Sequence, residues 1–270
     1  MHDFAYHRPK TLDDAADLLR VGDDPLLMAG GQTMIPTLKQ RLAAPSDVVD
    51  LAAVPGLTDI SASKALLSVG AMASHADVAA APEVRITIPA LAILAGSIGD
   101  LHVRNRGTLG GSIANNDPAA DYPAALLGLG ATVRTTTRSI PADEFFTGMF
   151  DTALDEDEII RSVSFPVPEM AAYAKFDHPA SRYAMVGVFI AKIEGGVRVA
   201  VTGAGDCVYR ENQMEAALAA EFSPSALAGI TVSSEGLNRD VYGSPEYRAN
   251  LVKVMATRAV GAALEAEDTE

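Results

Sequence analysis

Two glycine-rich segments constrain this chain of 270 residues more than any other feature. Glycine has no side chain, so its backbone can adopt positive φ and approach another segment or a ligand closely. Consecutive backbone N–H groups can then converge on phosphate oxygens. One such segment is typical of an ordinary turn, whereas two suggest that separate parts of the chain hold one diphosphate. The first consists of Ala29, Gly30, Gly31, Gln32 and Thr33, and the second of Thr108, Leu109, Gly110, Gly111 and Ser112.

The polar residues in and after these segments support a binding site. Gln32 and Thr33 can both donate hydrogen bonds to an oxyanion. The second segment continues into a polar stretch that contains Asn115, Asp117 and Asp121, within an otherwise apolar neighbourhood. Amides and carboxylates suit a ligand that is rich in hydroxyl groups and ring nitrogens. Asp117 is equally well explained as an N-cap before Pro118.

The chain has few of the cysteine and histidine residues that bind metal ions. The sequence contains one cysteine, Cys207, and five scattered histidines. It therefore predicts no intramolecular disulfide, no iron–sulfur cluster and no transition-metal site on this chain. If the chain takes part in redox reactions, an organic cofactor must carry the electrons. We assign no catalytic residue to it.

The charge and hydropathy of the chain exclude several partners. A formal net charge of −14 makes neutralisation of nucleic-acid phosphates or of anionic membranes improbable. No apolar run reaches the length of about 18 residues that a membrane-spanning helix needs. The first residues lack the basic and apolar regions of a signal peptide. We therefore expect a cytoplasmic location.

Periodicity and turn residues divide the chain into three stretches. Residues 1–54 combine a helix over 12–19, capped by Thr11, with strands over 25–29 and 46–51 and a helix over 34–42. Residues 55–168 begin with short strands and contain a capping box from Ser74 to Asp77, a buried helix over 89–98, a helix over 123–129 and a strand over 131–136. The remainder contains a hairpin turn at Glu194, Gly195 and Gly196, with helices over 211–220, 223–228 and 245–265.

The two glycine motifs, with the Asp117-Pro118-x-x-Asp121 sequence after the second, resemble those of the FAD-binding subunit of the molybdenum hydroxylases. These are enzymes of the xanthine dehydrogenase and carbon monoxide dehydrogenase type. The resemblance implies an α+β fold: a two-lobed FAD-binding domain of the vanillyl-alcohol-oxidase type and a smaller C-terminal α+β domain with an antiparallel sheet. The implied domains cover 1–168, with lobes of about 1–54 and 55–168, and 171–270.

The resemblance also implies which residues contact FAD. By motif position these are Ala29, Gly30, Gly31, Gln32, Thr33, Thr108, Gly110, Gly111, Ser112, Asn115 and Asp121, with Ile160 and Lys175 near the flavin ring. Lys175 would stabilise negative charge on the reduced ring, or it is a surface lysine at a strand edge. Tyr183 either packs over the flavin or lies in the core. Arg104 and Arg106 add positive potential near the diphosphate, contact a partner, or belong to a solvated loop.

The function that the resemblance implies is electron transfer within a larger enzyme. This subunit would hold FAD non-covalently and pass electrons from iron–sulfur clusters to an external acceptor. A large subunit would carry the molybdenum cofactor and a small subunit two two-iron, two-sulfur clusters, in a dimer of heterotrimers. The alternatives are a self-sufficient FAD oxidase of the vanillyl-alcohol oxidase type and a flavin-less scaffold or nucleotide sensor. The substrate and the final acceptor are not determined by this sequence.

Overall fold

The computed structural model describes residues 1–267, and its N-terminal part is built around a small parallel sheet. The strands run in the order β1-β3-β2, and both pairs are parallel. Helix α1 follows β1, and helix α2 follows β2. The elements are β1 (Ala5–His7), α1 (Leu12–Val21), β2 (Pro25–Met28), α2 (Met34–Lys39) and β3 (Asp47–Asp50).

The start of α1 shows how the sequence fixes this unit. The Thr11 side chain accepts a hydrogen bond from the backbone N–H of Asp14, which caps the helix as predicted. The buried face of α1 carries Ala15 and Ala16, which pack with Val49 of β3. Because β2 ends at Met28, the first glycine segment emerges at the carboxyl edge of this parallel sheet.

The central part of the chain forms a five-stranded antiparallel sheet in the order β4-β5-β10-β6-β7, with a separate two-stranded hairpin of β8 and β9. Its strands are β4 (Ile60–Ala62), β5 (Leu66–Gly70), β6 (Thr132–Thr135), β7 (Ser139–Pro141), β8 (Phe146–Gly148), β9 (Asp151–Thr152) and β10 (Ile160–Pro166). Its helices are α3 (His75–Ala80), α4 (Pro82–Thr87), α5 (Pro89–Gly96), α6 (Leu101–Arg104), α7 (Leu109–Asn115), α8 (Tyr122–Leu129) and α9 (Ala142–Phe145).

Helix α8 is the centre of the main core, since all eight of its residues are buried. It packs against β10 of the five-stranded sheet and, more extensively, against the C-terminal sheet. The predicted capping box at the start of α3 is confirmed, because the Ser74 and Asp77 side chains each accept from the other's backbone N–H. Helix α7, which begins in the second glycine segment, packs against α8 and against β5 and β10 of this sheet.

The C-terminal part contains an antiparallel sheet in the order β11-β12-β13-β14, packed on a long helix. The predicted hairpin at Gly195 is confirmed, since β12 ends at Ile193 and β13 begins at Gly196. The elements are β11 (Met170–Asp177), β12 (Ala184–Ile193), β13 (Gly196–Thr202), β14 (Tyr209–Arg210), α10 (Asn212–Ala220) and α11 (Pro245–Glu267). The predicted C-terminal domain runs to residue 270, and residues 268–270 lie outside the described part.

Several local predictions differ from the structure. The sequence predicts no helix in the second glycine segment, but helix α7 begins there at Leu109, because Thr108 caps it. Helix α2 ends at Lys39 rather than at residue 42, since Gln40 closes it with a tight turn. The stretch 223–228 holds only a 3-10 turn, Pro224–Leu227. The β8–β9 hairpin was not predicted, because each strand is too short to show alternation.

Candidate functional site

The two glycine segments lie against each other at Gly30. A Cβ atom on Gly30 would overlap the carbonyl oxygen of Arg106 and lie 2.6 Å from its carbonyl carbon. A Cβ atom on Gly111 would lie 3.3 Å from the Cβ atom of Ala29. Segments that are far apart in the sequence thus form one structure, and glycine at position 30 is what permits the contact.

The first segment presents a run of free backbone donors. Gly31 has a φ of 73°, a left-handed conformation that glycine adopts readily. Within the described residues, the N–H groups of Gly30, Gly31, Gln32 and Thr33 donate to no protein acceptor. Turns of this kind gather several N–H groups around an anion. This segment therefore has the backbone geometry and the free donors that a phosphate needs.

The second segment has its backbone donors occupied and offers a hydroxyl instead. The N–H of Gly110 donates to the carbonyl oxygen of Ala71 at 2.8 Å, and that of Gly111 donates to the Thr108 hydroxyl at 3.1 Å. A hydroxyl that accepts one hydrogen bond still has its own proton to donate. A Cβ atom on Gly110 would lie 2.7 Å from the Ala71 Cβ atom, so this glycine holds α7 against β5.

A buried ionic cluster lies just beyond the second segment. The Lys175 ammonium is 3.1 Å from Asp121 and 3.2 Å from Asp177, and the Tyr173 hydroxyl donates to Asp121 at 2.5 Å. The Lys175 side chain is 5% exposed, so the alternative of a surface lysine is wrong, although β11 is an edge strand. The ammonium also donates to the carbonyl oxygen of Ser97. The structure thus joins two predicted site residues, Asp121 and Lys175, through side chains.

Burial dominates the electrostatics of this cluster. It raises the pKa of the Asp121 carboxyl, while the nearby Lys175 ammonium and the Tyr173 hydroxyl act in the opposite direction. The pKa of Tyr173 is raised by burial and by the Asp121 charge, so this hydroxyl stays protonated. Asp121 therefore has two donors within the protein, and the pair holds α8 to β11.

Beneath the second segment lies a histidine that sequence reasoning did not select. His75 is 5% exposed, and its ring lies 5.4 Å from that of Tyr122. Burial, with the Arg104 charge nearby, lowers the pKa of His75 to about 4. Its Nδ1 atom and the Tyr122 hydroxyl have no hydrogen-bond partner in the described structure. A Cβ atom on Gly107 would lie 2.5 Å from the Nε2 atom of this ring. The neutral imidazole therefore packs directly against the backbone that leads into the second glycine segment.

The other residues that the sequence singles out differ in burial and lie on several elements. Ser112 and Asn115 are partly exposed on α7, whereas Ile160 is buried in the main core on β10. Tyr183 is 48% exposed, so the core alternative is wrong. The Arg104 guanidinium donates to the carbonyl oxygens of Ile98 and Gly99, a structural role.

The polar stretch after α7 is held by its own side chains. Asp117 forms a turn by accepting from the N–H of Ala119, and it does not cap a helix, since α8 begins at Tyr122. Asn116 is 1% exposed and its amide donates to the carbonyl oxygens of Gly148 and Asp151. Sequence reasoning missed Asn116, because its partners lie on a hairpin far along the chain.

The remaining parts of the described structure offer no stronger site. Among residues 1–267, no group of three His, Cys, Asp or Glu side chains is arranged to hold a metal ion. No helix in the same range is long and apolar enough to cross a membrane. An open groove of about 600 Å³ lies across the five-stranded sheet. No residue of either glycine segment lines this groove, so it is a separate surface feature.

Comparison with known proteins identifies the family. The family profile described as the FAD binding domain in molybdopterin dehydrogenase matches residues 2–168. The chain belongs to this family. It is 35% identical to the nicotine 6-hydroxylase medium subunit of Paenarthrobacter nicotinovorans, over 94% of this chain and 95% of that one. It is 32% identical to the carbon monoxide dehydrogenase medium chain of Hydrogenophaga pseudoflava, over 96% of each chain.

Solved structures of the family have the same fold. The crystal structure of quinoline 2-oxidoreductase from Pseudomonas putida 86 superposes with a TM-score of 0.88 at 30% identity, covering 98% of each chain. A carbon monoxide dehydrogenase structure from Hydrogenophaga pseudoflava gives a TM-score of 0.88 at 31% identity, covering 97% of each chain. The predicted family and FAD as its cofactor are confirmed. The similarity to named subunits supports the electron-transfer subunit over the self-sufficient oxidase.

Proposed function

We propose that this chain is the FAD-binding subunit of a molybdenum-containing hydroxylase or dehydrogenase. The observation that carries the proposal is the contact between the two glycine segments at Gly30, beside a row of free backbone donors. When bound, FAD supplies the capacity to accept electrons and to release them to an external acceptor. The chain's own residues bind the cofactor, orient it and set its electrostatic surroundings.

Each segment has a distinct part in this binding. The free N–H groups from Gly30 to Thr33 hold the diphosphate, as they have no competing acceptor in the described structure. The Thr108 hydroxyl, fixed by the N–H of Gly111, adds a donor from the other side. Ser112 and Asn115 face the solvent-accessible side of α7 in part, and we assign them to the hydroxylated portion of the ligand.

We assign Asp121 and Lys175 to the flavin end of the site. Their ion pair is buried, so it contributes a fixed arrangement of charge rather than two mobile side chains. Lys175 stabilises negative charge near the ring, and Asp121 holds the ammonium in place. Ile160 contributes apolar surface from the core. Tyr183 is half-exposed and near Asp117 and Asp121, which supports the assignment that it packs against the flavin.

The finer organisation of the fold and complex belongs to the same proposal. We assign residues 1–168 to an FAD-binding domain with two lobes of the vanillyl-alcohol-oxidase type, and 171–270 to a C-terminal domain. Family members are named as medium chains and subunits, which supports a large molybdenum-cofactor subunit and a small iron–sulfur subunit as partners. A dimer of heterotrimers, a cytoplasmic location and non-covalent attachment of FAD complete the proposal.

A pair of glycine variants tests the binding site. Gly31 and Gly236 have nearly equal φ values of 73° and 76°, so alanine introduces similar backbone strain of roughly 1–2 kcal/mol at either position. At Gly31 the new Cβ atom would also lie 2.6 Å from the Cδ1 atom of Ile35, the end of a flexible side chain that can turn aside, whereas Gly236 has open space around it. Only Gly31 lies in the proposed site. We expect Gly31→Ala to lose most of its FAD by absorbance while Gly236→Ala retains it. Equal FAD content in both purified variants would contradict the assignment.

A further inference from the structure

Three consecutive backbone carbonyl groups just before Asp121 accept hydrogen bonds from the C-terminal sheet. The bonds run from the N–H of Gly203 to Pro118 at 2.8 Å, from the N–H of Ala184 to Ala119 at 3.4 Å, and from the Thr202 hydroxyl to Ala120 at 2.6 Å. The donors lie where β12 begins and where β13 ends. The stretch that leads into α8 is therefore positioned by a different part of the chain.

The Thr202 hydroxyl forms the shortest of these three bonds. Thr202 is 1% exposed, so water cannot replace its hydroxyl. The hydroxyl also lies 3.1 Å from the Pro118 oxygen, but it has one proton to donate and the Ala120 oxygen is the closer acceptor. Ala120 directly precedes Asp121, whose carboxylate pairs with Lys175. The hydroxyl thus fixes the backbone one residue before the buried ion pair.

Thr202 and Lys175 belong to one row of residues across the C-terminal sheet. Lys175 lies opposite Gly187 in the β11–β12 pair, and Gly187 lies opposite Thr202 in the β12–β13 pair. Residues directly opposite each other project from the same face of an antiparallel sheet. A Cβ atom on Gly187 would lie 2.9 Å from the Cγ2 atom of Thr202 and would overlap the Tyr173 hydroxyl. Glycine at this position therefore leaves room for the side chains that hold the Ala120 and Asp121 pair of residues.

The end of β13 that carries Thr202 is itself held in place. Gly203 has a φ of 80°, and a Cβ atom there would overlap the carbonyl oxygen of Ala184, so this approach requires glycine. The buried Arg248 guanidinium donates to the carbonyl oxygens of Gly203 at 2.9 Å and Met185 at 2.7 Å. The Thr202 hydroxyl is therefore presented from a fixed strand end.

We propose that Thr202 is a positioning residue for the flavin end of the cofactor site. It fixes the backbone of Ala120, and thereby the separation of 3.1 Å between the Asp121 carboxylate and the Lys175 ammonium. The inference rests on the proposed function, in which this ion pair lies beside the flavin ring. A displaced carboxylate neutralises the ammonium less, so the ammonium stabilises negative charge on the reduced ring more strongly. The midpoint potential of the flavin then depends on a buried hydroxyl of the C-terminal sheet.

Four variants of the full-length chain separate this role from simple packing. Thr202→Val removes the hydroxyl and keeps a β-branched side chain, and Thr202→Ser restores the hydroxyl. Thr202→Ala repeats the test without steric demand if valine prevents folding. The matched control is Thr257→Val, because the Thr257 hydroxyl donates to the carbonyl oxygen of Lys253 within α11.

The measurement is the midpoint potential of the bound flavin, determined anaerobically against a reference dye, with FAD affinity and the unfolding midpoint recorded beside it. We expect Thr202→Val to shift the potential to more positive values and to weaken FAD binding about threefold to tenfold. Thr202→Ser and Thr257→Val should keep the wild-type potential and affinity.

A merely structural role for Thr202 predicts a lower unfolding midpoint with the wild-type potential, and that result would overturn the proposal. A shift to more negative potential, or an equal shift in Thr202→Ser or Thr257→Val, would overturn it as well. These outcomes leave the FAD assignment intact, since each is measured on protein that holds flavin. Wild-type protein that binds no FAD would instead contradict the proposed function, and this inference with it.

Discussion

Gly30 packs directly on the backbone of Arg106, so closely that a Cβ atom on Gly30 would lie 2.6 Å from the Arg106 carbonyl carbon. Backbone atoms cannot move aside as a flexible side chain does, and even alanine at position 30 must push the two segments apart. The contact links the cofactor segment that follows β2 to the one that begins α7. We propose that FAD binding depends on this contact.

Gly30→Ala therefore tests the contact itself. We expect a folded protein with FAD affinity reduced by about tenfold or more, equal to at least about 1.4 kcal/mol, because the separated segments no longer hold one diphosphate. Fluorescence titration of the apoprotein with FAD measures this. Gly229, which has open space around it, supplies the control Gly229→Ala, with unchanged affinity expected. Equal affinities in the two variants would argue against the contact as a requirement.

The buried pair of Lys175 and Asp121 predicts a large effect on stability. Lys175→Met leaves the Asp121 carboxylate buried without its cation, which is expected to cost about 3–5 kcal/mol in urea unfolding. Burial already raises the Asp121 pKa, and removal of the ammonium raises it further. A carboxyl with a raised folded-state pKa stabilises the folded state at low pH and loses that contribution as pH rises. The loss of unfolding free energy in Lys175→Met, relative to wild type, should therefore be smaller at pH 5 than at pH 8.

The double variant Lys175→Met/Asp121→Asn provides the control for this prediction. Without the carboxylate, there is no buried charge to leave unpaired, and much of the lost stability should return. If the double variant is as unstable as the sum of the two single variants, the pair is not energetically coupled.

His75 predicts that the free energy of unfolding falls as pH falls, which is opposite in sign to the contribution of Asp121. Its pKa is lowered to about 4 in the folded protein from an ordinary value of 6.5. Between these values the unfolded chain binds a proton that the folded chain does not, so the free energy of unfolding falls as pH falls from 6.5 to 4. The full effect is on the order of 3 kcal/mol at about 1.4 kcal/mol for each pH unit.

His75→Gln removes this titration, and its unfolding free energy should depend less steeply on pH across that range. Urea unfolding at pH 4.5, 5.5 and 7 compares the two slopes. Identical slopes in wild type and variant would mean that His75 takes up its proton equally in both states.

FAD is predicted to be held non-covalently. Neither glycine segment contains histidine, and Cys207 is far from both in sequence. In space, however, the Cys207 sulfur lies 3.8 Å from the Asn116 amide at the end of α7. Acid precipitation should release all flavin from wild type and from Cys207→Ser. Flavin fluorescence on the denatured wild-type band, lost in Cys207→Ser, would instead indicate a thioether.

How far the sequence predicts this molecule depends on how local the determining contacts are. Thr11, the Ser74–Asp77 box and the Gly195 turn act within four residues, and each prediction is confirmed. The family followed from two motifs with specific spacing. In contrast, the partners of Asn116 and the clash between Gly30 and Arg106 join distant segments, which no local pattern reveals.

The same reasoning applies to Lys175 and Tyr183, for which the sequence allows either a buried or an exposed position. A lysine at an edge strand looks solvent-exposed in sequence, and only the packing of β11 against α5, with Ser97 at the end of that helix, buries Lys175. The apolar run that contains Tyr183 suggests a core position, yet the strand begins one residue later at Ala184 and Tyr183 stays half-exposed. A shift of one residue in the start of a strand thus decides whether a side chain is buried or exposed.

We propose that this chain carries electrons through FAD and performs no substrate chemistry of its own. The most direct measurement is the anaerobic bleaching of flavin absorbance in the purified chain, alone and then with the molybdenum and iron–sulfur subunits added. We expect dithionite to bleach the flavin in the isolated chain, while aldehydes, purines and N-heterocycles leave it unchanged. A substrate of the complex should bleach it only when both partners are present. Bleaching of the isolated chain by any of these organic substrates would contradict the claim and identify a self-sufficient oxidase.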